Sequence, residues 1–571
     1  MCGIAGIISS NPSEEELLRM LDNQVHRGPD HTGFFIDEGY VAIGHNRLSI
    51  IDLSSDANEP FSDNSGRYHL TFNGELYNYL ELKKELKNFY DFRTASDTEV
   101  LLASYIHWGT NCLDKFRGMF AFGIWDTEKK ELFAARDRFG VKPFYYTVQN
   151  GSFYFSSEIK ALQIVPGTSR PNEKVWANYF TYGSYGMPEE TFYENISQLP
   201  GGHSLKFSNR ELKIEKWYHF ETEVAKIPSG YSFEDAKKKY YNLLKESILL
   251  RFRADVPLGF NISGGVDSSL LLALVNLFGD KKNIKAYTFY TGDDRYDELP
   301  WVEKMIATTD NPLKRIKFNS EDVEESSKFI SKSQDEPFGG IPTLAYSGIF
   351  KQAQKDGIRV LLDGQGMDEQ WAGYDYYSEN MDTNSTIQGT GFGNPFRKNV
   401  LATDFAALAE KPSYPQPFDN KLQNMQYRDL FFTKIPRALR FNDRVSMAYG
   451  IELREPFLDH KLVEFAFAMP AEFKIHNGVG KYMLREILKP LVPDFISYAP
   501  KRALQTPQRE WLANELTVFT EENLNELKLS PVAAWFNFSE IEKEWKAYKN
   551  GDNESSFHIW QLINAALVFR D

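Results

Sequence analysis

Cysteine is nearly absent from this chain: only Cys2 and Cys112 occur. That excludes a disulfide framework and a cysteine-rich zinc site. Long apolar runs are missing too, and none reaches the roughly 20 residues a membrane-spanning helix needs. The apolar start, residues 1–10, lacks a basic flank and does not read as a signal peptide. Positive charge is in deficit: 65 Lys and Arg against 79 Asp and Glu leave a net −14 at pH 7. Such a balance argues against non-specific binding to nucleic acid or to an anionic membrane. Together these absences predict a cytoplasmic protein with neither nucleic acid nor membrane as partner. The length, 571 residues, exceeds one ordinary core and predicts two or more domains.

What is present is organised around Phe260-Asn261-Ile262-Ser263-Gly264-Gly265-Val266-Asp267-Ser268-Ser269-Leu270. Residues 256–262 form an apolar run that reads as a short buried strand. The glycines break it, and helix-compatible leucines follow to Phe278. Strand, Gly-rich turn and helix present backbone N–H groups and a positive helix end to a phosphate. Two glycines let the backbone approach the anion where a Cβ would intrude. Ser263, Ser268 and Ser269 offer hydroxyls. Asp267 repels phosphate, so its place here makes sense if it holds a divalent cation such as Mg²⁺. No Gly-Lys-Ser/Thr follows, so this is not a Walker loop. The seven residues 263–269 resemble the Ser-Gly-Gly-x-Asp-Ser-Ser loop of N-type ATP pyrophosphatases, which implies cleavage between the α and β phosphates of ATP.

At the start, Met1-Cys2-Gly3-Ile4-Ala5-Gly6-Ile7-Ile8 reads as a strand. Removal of the initiator methionine makes Cys2 N-terminal and sets its thiol beside a free α-amine, with a pKa of roughly 7.7–8. That amine is able to take the thiol proton, and the thiolate is the reactive form. Taken alone, Cys2 reads as a small buried apolar residue. It does not stand alone. His26-Arg27-Gly28-Pro29-Asp30 is a turn. Arg47 is expected at a strand start, and Asn73-Gly74 just after another apolar strand. Ser96 or Asp97 caps a helix. Many strands separated by few helices predict an α+β layered domain.

Residues 2–205 resemble the glutaminase domain of class II amidotransferases, the N-terminal-nucleophile type with a four-layered αββα fold. The resemblance implies that Cys2 attacks the side-chain amide of glutamine. Asn73 and Gly74 then supply the oxyanion hole, each donor being worth about 10²–10³ in rate. Arg47 pairs with the glutamine carboxylate, and Glu75 and Asp97 recognise its ammonium. His26 and His45 have no catalytic part in that scheme and are expected to be structural.

Beyond residue 230 strands and helices alternate, which predicts an α/β domain with a mostly parallel sheet. Val360-Leu361-Leu362-Asp363-Gly364-Gln365-Gly366-Met367-Asp368-Glu369 is strand, turn and acidic cluster. With residues 442–459 and Gly480-Lys481-Tyr482-Met483-Leu484-Arg485, it resembles the glutamine-hydrolysing asparagine synthetase family in motif order over nearly the whole chain. The resemblance implies a glutaminase domain at 1–215, a linker at 216–230 and an ATP pyrophosphatase (synthetase) domain at 231–571. It implies an ATP site of Leu258, Ile262, Ser263, Gly264, Gly265, Asp267, Ser268, Ser269, Phe289, Asp363, Gly364 and Lys481. Asp267 and Asp368 would hold Mg²⁺, and Lys481 would neutralise pyrophosphate. The acceptor would meet Gln365, Asp368 and Glu369. Arg454 and Asp459 are expected to form a structural ion pair. A dry passage would carry ammonia between the sites, with 119–124 as a candidate wall. Residues 378–420 read as a loop or lid, or as a solvated insertion. A homodimer is compatible with the resemblance.

Two departures bear on the acceptor. Many members of that family carry Gly-Glu-Gly where this chain has Gly364-Gln365-Gly366. Residues 501–507 also depart from the commoner basic-Gly-Phe pattern. The implied function is transfer of glutamine nitrogen to an ATP-activated carboxylate: aspartate, or another acid such as a uronic acid of surface polysaccharide. A sugar-phosphate amidotransferase would carry different motifs after residue 220. A non-catalytic glutamine or nucleotide sensor would not need Cys2, Asn73, Asp267, Asp368 and Lys481 together.

Overall fold

The computed structural model describes residues 1–278, 284–378, 395–499 and 505–570. The chain builds three sheets. In the first, the spatial order is Ser197–Gln198, Tyr145–Gln149, Ser152–Ser156, Gly3–Ile8, Val41–Arg47 and His31–Asp37. In the second it is Glu211–Lys216, His203–Ser208, Glu131–Arg136, Gly118–Asp126, Tyr68–Leu76 and Phe61–Ser62. All pairings in both are antiparallel.

Side chains alternate across a strand, so each strand has two faces to bury. Ile4 and Ile8 point between the sheets, against Ile43, Ala121, Trp125 and Phe155. Ala5 and Ile7 point outward, against Leu17, Met20 and Leu21 of helix Glu14–Asp22 and Trp176 of helix Glu173–Tyr182. On the second sheet Phe72, Phe120, Phe122 and Ile124 face helices Tyr79–Leu86 and Asp97–Trp108. The result is the expected four-layered αββα domain. With both faces of its strands covered, the pattern reads as continuous apolar runs. Gly6 is glycine because a Cβ there would lie 2.2 Å from the Phe155 ring.

The third sheet is parallel, in the order Leu313–Lys317, Lys285–Tyr290, Leu258–Asn261, Val360–Leu362 and Glu452–Arg454. One face packs helices Phe233–Leu250 and Val266–Phe278. The other packs helices Val323–Gln334, Ile341–Lys355 and Phe557–Val568. Leu258–Asn261 is first in sequence, and the chain adds strands on one side of it, then on the other. The order reverses between Leu258–Asn261 and Val360–Leu362, and such switch points are where α/β sheets bind ligands. Among the described residues no helix is long and apolar enough to cross a membrane.

The two parts are bound into each other. The stretch expected as a linker contains helix Phe220–Ala225, and buried Phe220 packs with Leu430, Val463 and Phe467. Leu562 and Ala566 of the last helix share a cluster with Trp176 and Phe180 of the first domain. Arg27, fully buried, donates to Asp443 Oδ2 at 2.9 Å and Oδ1 at 3.2 Å, and to Glu158 Oε1 at 2.9 Å. Removing one partner of a buried ion pair leaves the other charge uncompensated. Arg27→Met is therefore expected to lower stability by ~3–5 kcal/mol, read by chemical denaturation of the full chain followed by tryptophan fluorescence.

Candidate active site

The Cys2 thiol is buried just ahead of Gly3–Ile8, an inner strand of the first sheet, and the Cys2 backbone N–H donates to Asn73 Oδ1 at 3.1 Å. Asn73 and Gly74 lie within strand Tyr68–Leu76, not after it, and Arg47 ends its strand rather than starting one. Asn73 Nδ2 is buried and finds no acceptor among the described residues. It is an unspent donor on the side chain that holds the Cys2 N–H. Gly74 has φ 157°, and a Cβ there would meet Met119 O at 2.2 Å. Burial pushes the Cys2 thiol up, while the chain's amino terminus and Arg47 pull it down.

Arg47 is held by the turn beyond its strand, donating to Ser54 O at 2.7 Å, Asn58 Oδ1 at 2.8 Å and Asp52 O. Asp97 Oδ2 accepts from Leu76 N–H at 2.8 Å, and burial raises its carboxyl to about 6. Glu75 faces Arg454 Nη2 at 3.4 Å, and burial raises it too. Ser96 is the helix cap, accepting from Thr98 N–H at 3.1 Å. His26 bonds Glu158 at 3.1 Å, and His45 bonds Phe72 O at 3.0 Å.

The second centre sits at the switch point of the parallel sheet. Gly264 has φ 72°, and its missing side chain leaves room for Trp301. Ser268 Oγ accepts from Ser263 N–H at 3.2 Å and closes the loop. Ser263, Asp363 and Gln365 wall a cleft shared with Ile262 and Phe289 on one side and with Gly265, Asp267, Gly364, Asp368, Lys481 and Arg485 on the other. Lys481 Nζ lies 2.6 Å from Asp267 Oδ2 and 2.7 Å from Asp368 Oδ1. Burial pulls this ammonium down, yet the two carboxylates hold it above the ordinary lysine value. Two carboxylates that already meet on one cation fit a hard divalent ion. Among the described residues no group of three or more His, Cys, Asp or Glu forms a metal site. An ion here would thus take further ligands from substrate phosphates, as Mg²⁺ commonly does.

Three residues expected in the site are elsewhere. Leu258 begins its strand and packs toward the domain interface, at the opposite end from the cleft. The Ser269 hydroxyl is buried beneath the loop. Glu369 points behind the cleft, where Tyr374 donates to it at 2.7 Å and burial raises it to about 7. The expected pair of Arg454 and Asp459 does not form either. Arg454 Nε bonds Glu452 at 2.5 Å, and Asp459 accepts from Arg117 at 2.8 Å and Arg251 at 3.0 Å. Parts of two expected features, residues 379–394 of the loop at 378–420 and 501–504 of 501–507, lie outside the described residues.

Other contributors carry little sequence signal. Tyr346 donates to Asp363 Oδ2 at 2.8 Å and accepts from Asn261 Nδ2 at 2.7 Å. Arg485 lines the cleft, anchored to Ser497 O at 2.7 Å. A Cβ on Gly373 would lie 2.0 Å from Asp368 Oδ1 and 2.2 Å from Lys481 Cε. On Gly480 it would lie 2.0 Å from Ala372 O. Both glycines are what lets Lys481 reach the two aspartates.

An αββα sandwich with a buried Cys2, joined to a Gly-Ser phosphate loop at a parallel-sheet switch point, defines a glutamine amidotransferase coupled to an ATP-utilising domain. Family comparison agrees: residues 1–218 match the model described as glutamine amidotransferase domain, and residues 239–570 match asparagine synthase. The chain belongs to the asparagine synthase family. It is 28% identical to asparagine synthetase [glutamine-hydrolyzing] 1 of Bacillus subtilis, over 92% of this chain and 90% of that one. It is 30% identical to asparagine synthetase [glutamine-hydrolyzing] 3 of the same organism, over 88% and 86%. It is also 27% identical to amidase chry2 of Gibberella zeae, over 90% of each chain.

Gly373→Ala should force Asp368 and Lys481 apart. ATP-dependent activity is expected to fall by about 10²-fold or more, while glutamine hydrolysis in the same preparation stays intact.

Proposed function

We propose that this protein is a glutamine-dependent asparagine synthetase. Cys2, freed of Met1, gives its thiol proton to its own α-amine and attacks the glutamine amide carbon. The oxyanion is received by Asn73 Nδ2 and Gly74 N–H, and ammonia and a Cys2 thioester result. Water then releases glutamate. The unspent Asn73 donor beside Cys2 is the observation that carries this half. Arg47, Glu75 and Asp97 ring the same strand ends and match a zwitterionic amino acid.

In the other domain the 263–269 loop receives the phosphates of ATP, with Ile262 and Phe289 against the base. Asp267 and Asp368 would hold Mg²⁺, which screens the phosphates and polarises the α-phosphorus. Lys481, displaced from its two aspartates, follows the pyrophosphate. The acceptor carboxylate attacks the α-phosphorus, giving an acyl-adenylate and pyrophosphate. Ammonia then displaces AMP and leaves the amide.

Aspartate is the acceptor this reading favours, on family membership. The neutral Gln365 in the cleft wall supports a second acceptor class, the carboxylate of a uronic acid. Mass spectrometry of products from glutamine, ATP and a panel of acids separates them. Asparagine with AMP and pyrophosphate is expected. ADP and phosphate with every acid would overturn both readings.

Cys2→Ala is expected to abolish glutamine-dependent synthesis and to keep ammonia-dependent synthesis. Steady-state assays with each nitrogen source check it.

A further inference from the structure

Glu455 follows strand Glu452–Arg454 at the C-terminal edge of the parallel sheet and is 4% exposed. Its Oε2 is buried and accepts no hydrogen bond among the described residues. Acids nearby are matched: Glu452 by Arg454, Asp459 by Arg117 and Arg251. A buried carboxyl oxygen left without a partner is costly and needs a reason.

Its surroundings supply one. Glu455 lines a cleft between the domains, with Tyr77, Met119, Val141 and Leu458 beside the charged Arg117, Arg138, Arg251 and Asp459. The first four side chains also belong to the apolar cluster of Leu48, whose carbonyl faces the Cys2 thiol at 4.0 Å. Of the stretch 119–124 expected to wall a passage, Met119 alone reaches this cleft, since Phe120, Phe122 and Ile124 face helices and Ala121 lies between the sheets. On its far side the cleft abuts the nucleotide site, for a Cβ on Gly366 would lie 2.6 Å from Leu458 Cδ2. Burial and the facing Asp363 push the Glu455 carboxyl well above its ordinary range, against Lys142, the Gln365 backbone N–H and Arg251. The carboxyl thus stands between the Cys2 side of the molecule and the Asp363–Gln365 wall.

We propose that Glu455 takes the proton that ammonia sheds as its nitrogen attacks the activated carboxylate. The inference rests on the amide-forming reading above. The nitrogen lone pair forms the C–N bond, and the carbonyl π pair moves onto oxygen. When that pair returns, the C–O bond to the phosphate breaks and AMP leaves with its electrons. One N–H proton must depart for a neutral amide to remain, and the Glu455 carboxylate accepts it and later passes it to water. A carboxylate more basic than usual has greater drive for that transfer.

Glu455→Gln in the full chain tests this with three assays: glutamine hydrolysis, aspartate-dependent ATP–pyrophosphate exchange, and asparagine formation from ammonia. Hydrolysis and exchange should stay near wild type, while amide formation falls by about 10²–10⁴-fold. Its pH profile should also lose an acidic limb, which a packing role would not move. Glu455→Asp should restore part of the rate. Amide formation by Glu455→Gln within about threefold of wild type, well short of a general-base loss, overturns the proposal, as does an equal loss of exchange. If Glu455→Gln also loses hydrolysis, the decision passes to Glu455→Asp: hydrolysis retained with slowed amide formation supports the proposal, and an unchanged rate overturns it. A wild-type enzyme that forms no amide overturns the underlying reading and this proposal with it.

Discussion

Arg454 is fully buried and always charged, so its surroundings must answer that charge. Glu452 does so directly, at 2.5 Å from Nε. The carbonyls of Arg251 and Arg253 take Nη1, each at 2.8 Å. Glu75, from the glutaminase side, comes within 3.4 Å of Nη2. Before Met1 is removed, Glu452 in turn holds its amine at 3.2 Å, and Arg454 with that amine brings the Glu452 carboxyl to about 2 despite burial. One guanidinium therefore ties the last strand of the parallel sheet to Glu75, which follows Asn73 and Gly74 at the Cys2 site. Two centres built on separate sheets are held in one frame by charges that have no water to turn to.

That arrangement explains what was legible in the sequence. The 263–269 loop and the places of Asp267 and Asp368 follow from local patterns: apolar periodicity, glycine at a turn, an acid just past a strand; the αββα layering and Lys481 were legible only through the family resemblance. The loop and the two acids are fixed by their own neighbours in the chain. The partners of Arg454 and Asp459 are not. Glu452 and Arg251 come from the same domain while Glu75 and Arg117 come from the other, and proximity in sequence misled, because Arg454 and Asp459 lie on a stretch whose side chains point in different directions. Leu258, Ser269 and Glu369 share that weakness. A motif marks a segment, while alternation and helical turn decide which members of it face the cleft. Gly373 and Gly480 were illegible for the opposite reason, since only the approach of Lys481 to Asp368 shows why no side chain fits there.

The interface also separates two chemical demands. On the proposed reading, glutamine hydrolysis needs water and a polar cradle, and capture of ammonia by an adenylate needs water kept out. Tyr77, Met119, Val141 and Leu458 share the space between the domains with Arg117, Arg251 and Asp459, which pair with one another.

The sharing of one cluster by Trp176, Phe180, Leu562 and Ala566 has a consequence for synthesis on the ribosome. Domains generally fold as units, the N-terminal one first. Here the outer helical layer of the leading domain stays uncovered until residues 527–566 emerge. The nascent N-terminal half must wait with an exposed aromatic face until those residues emerge.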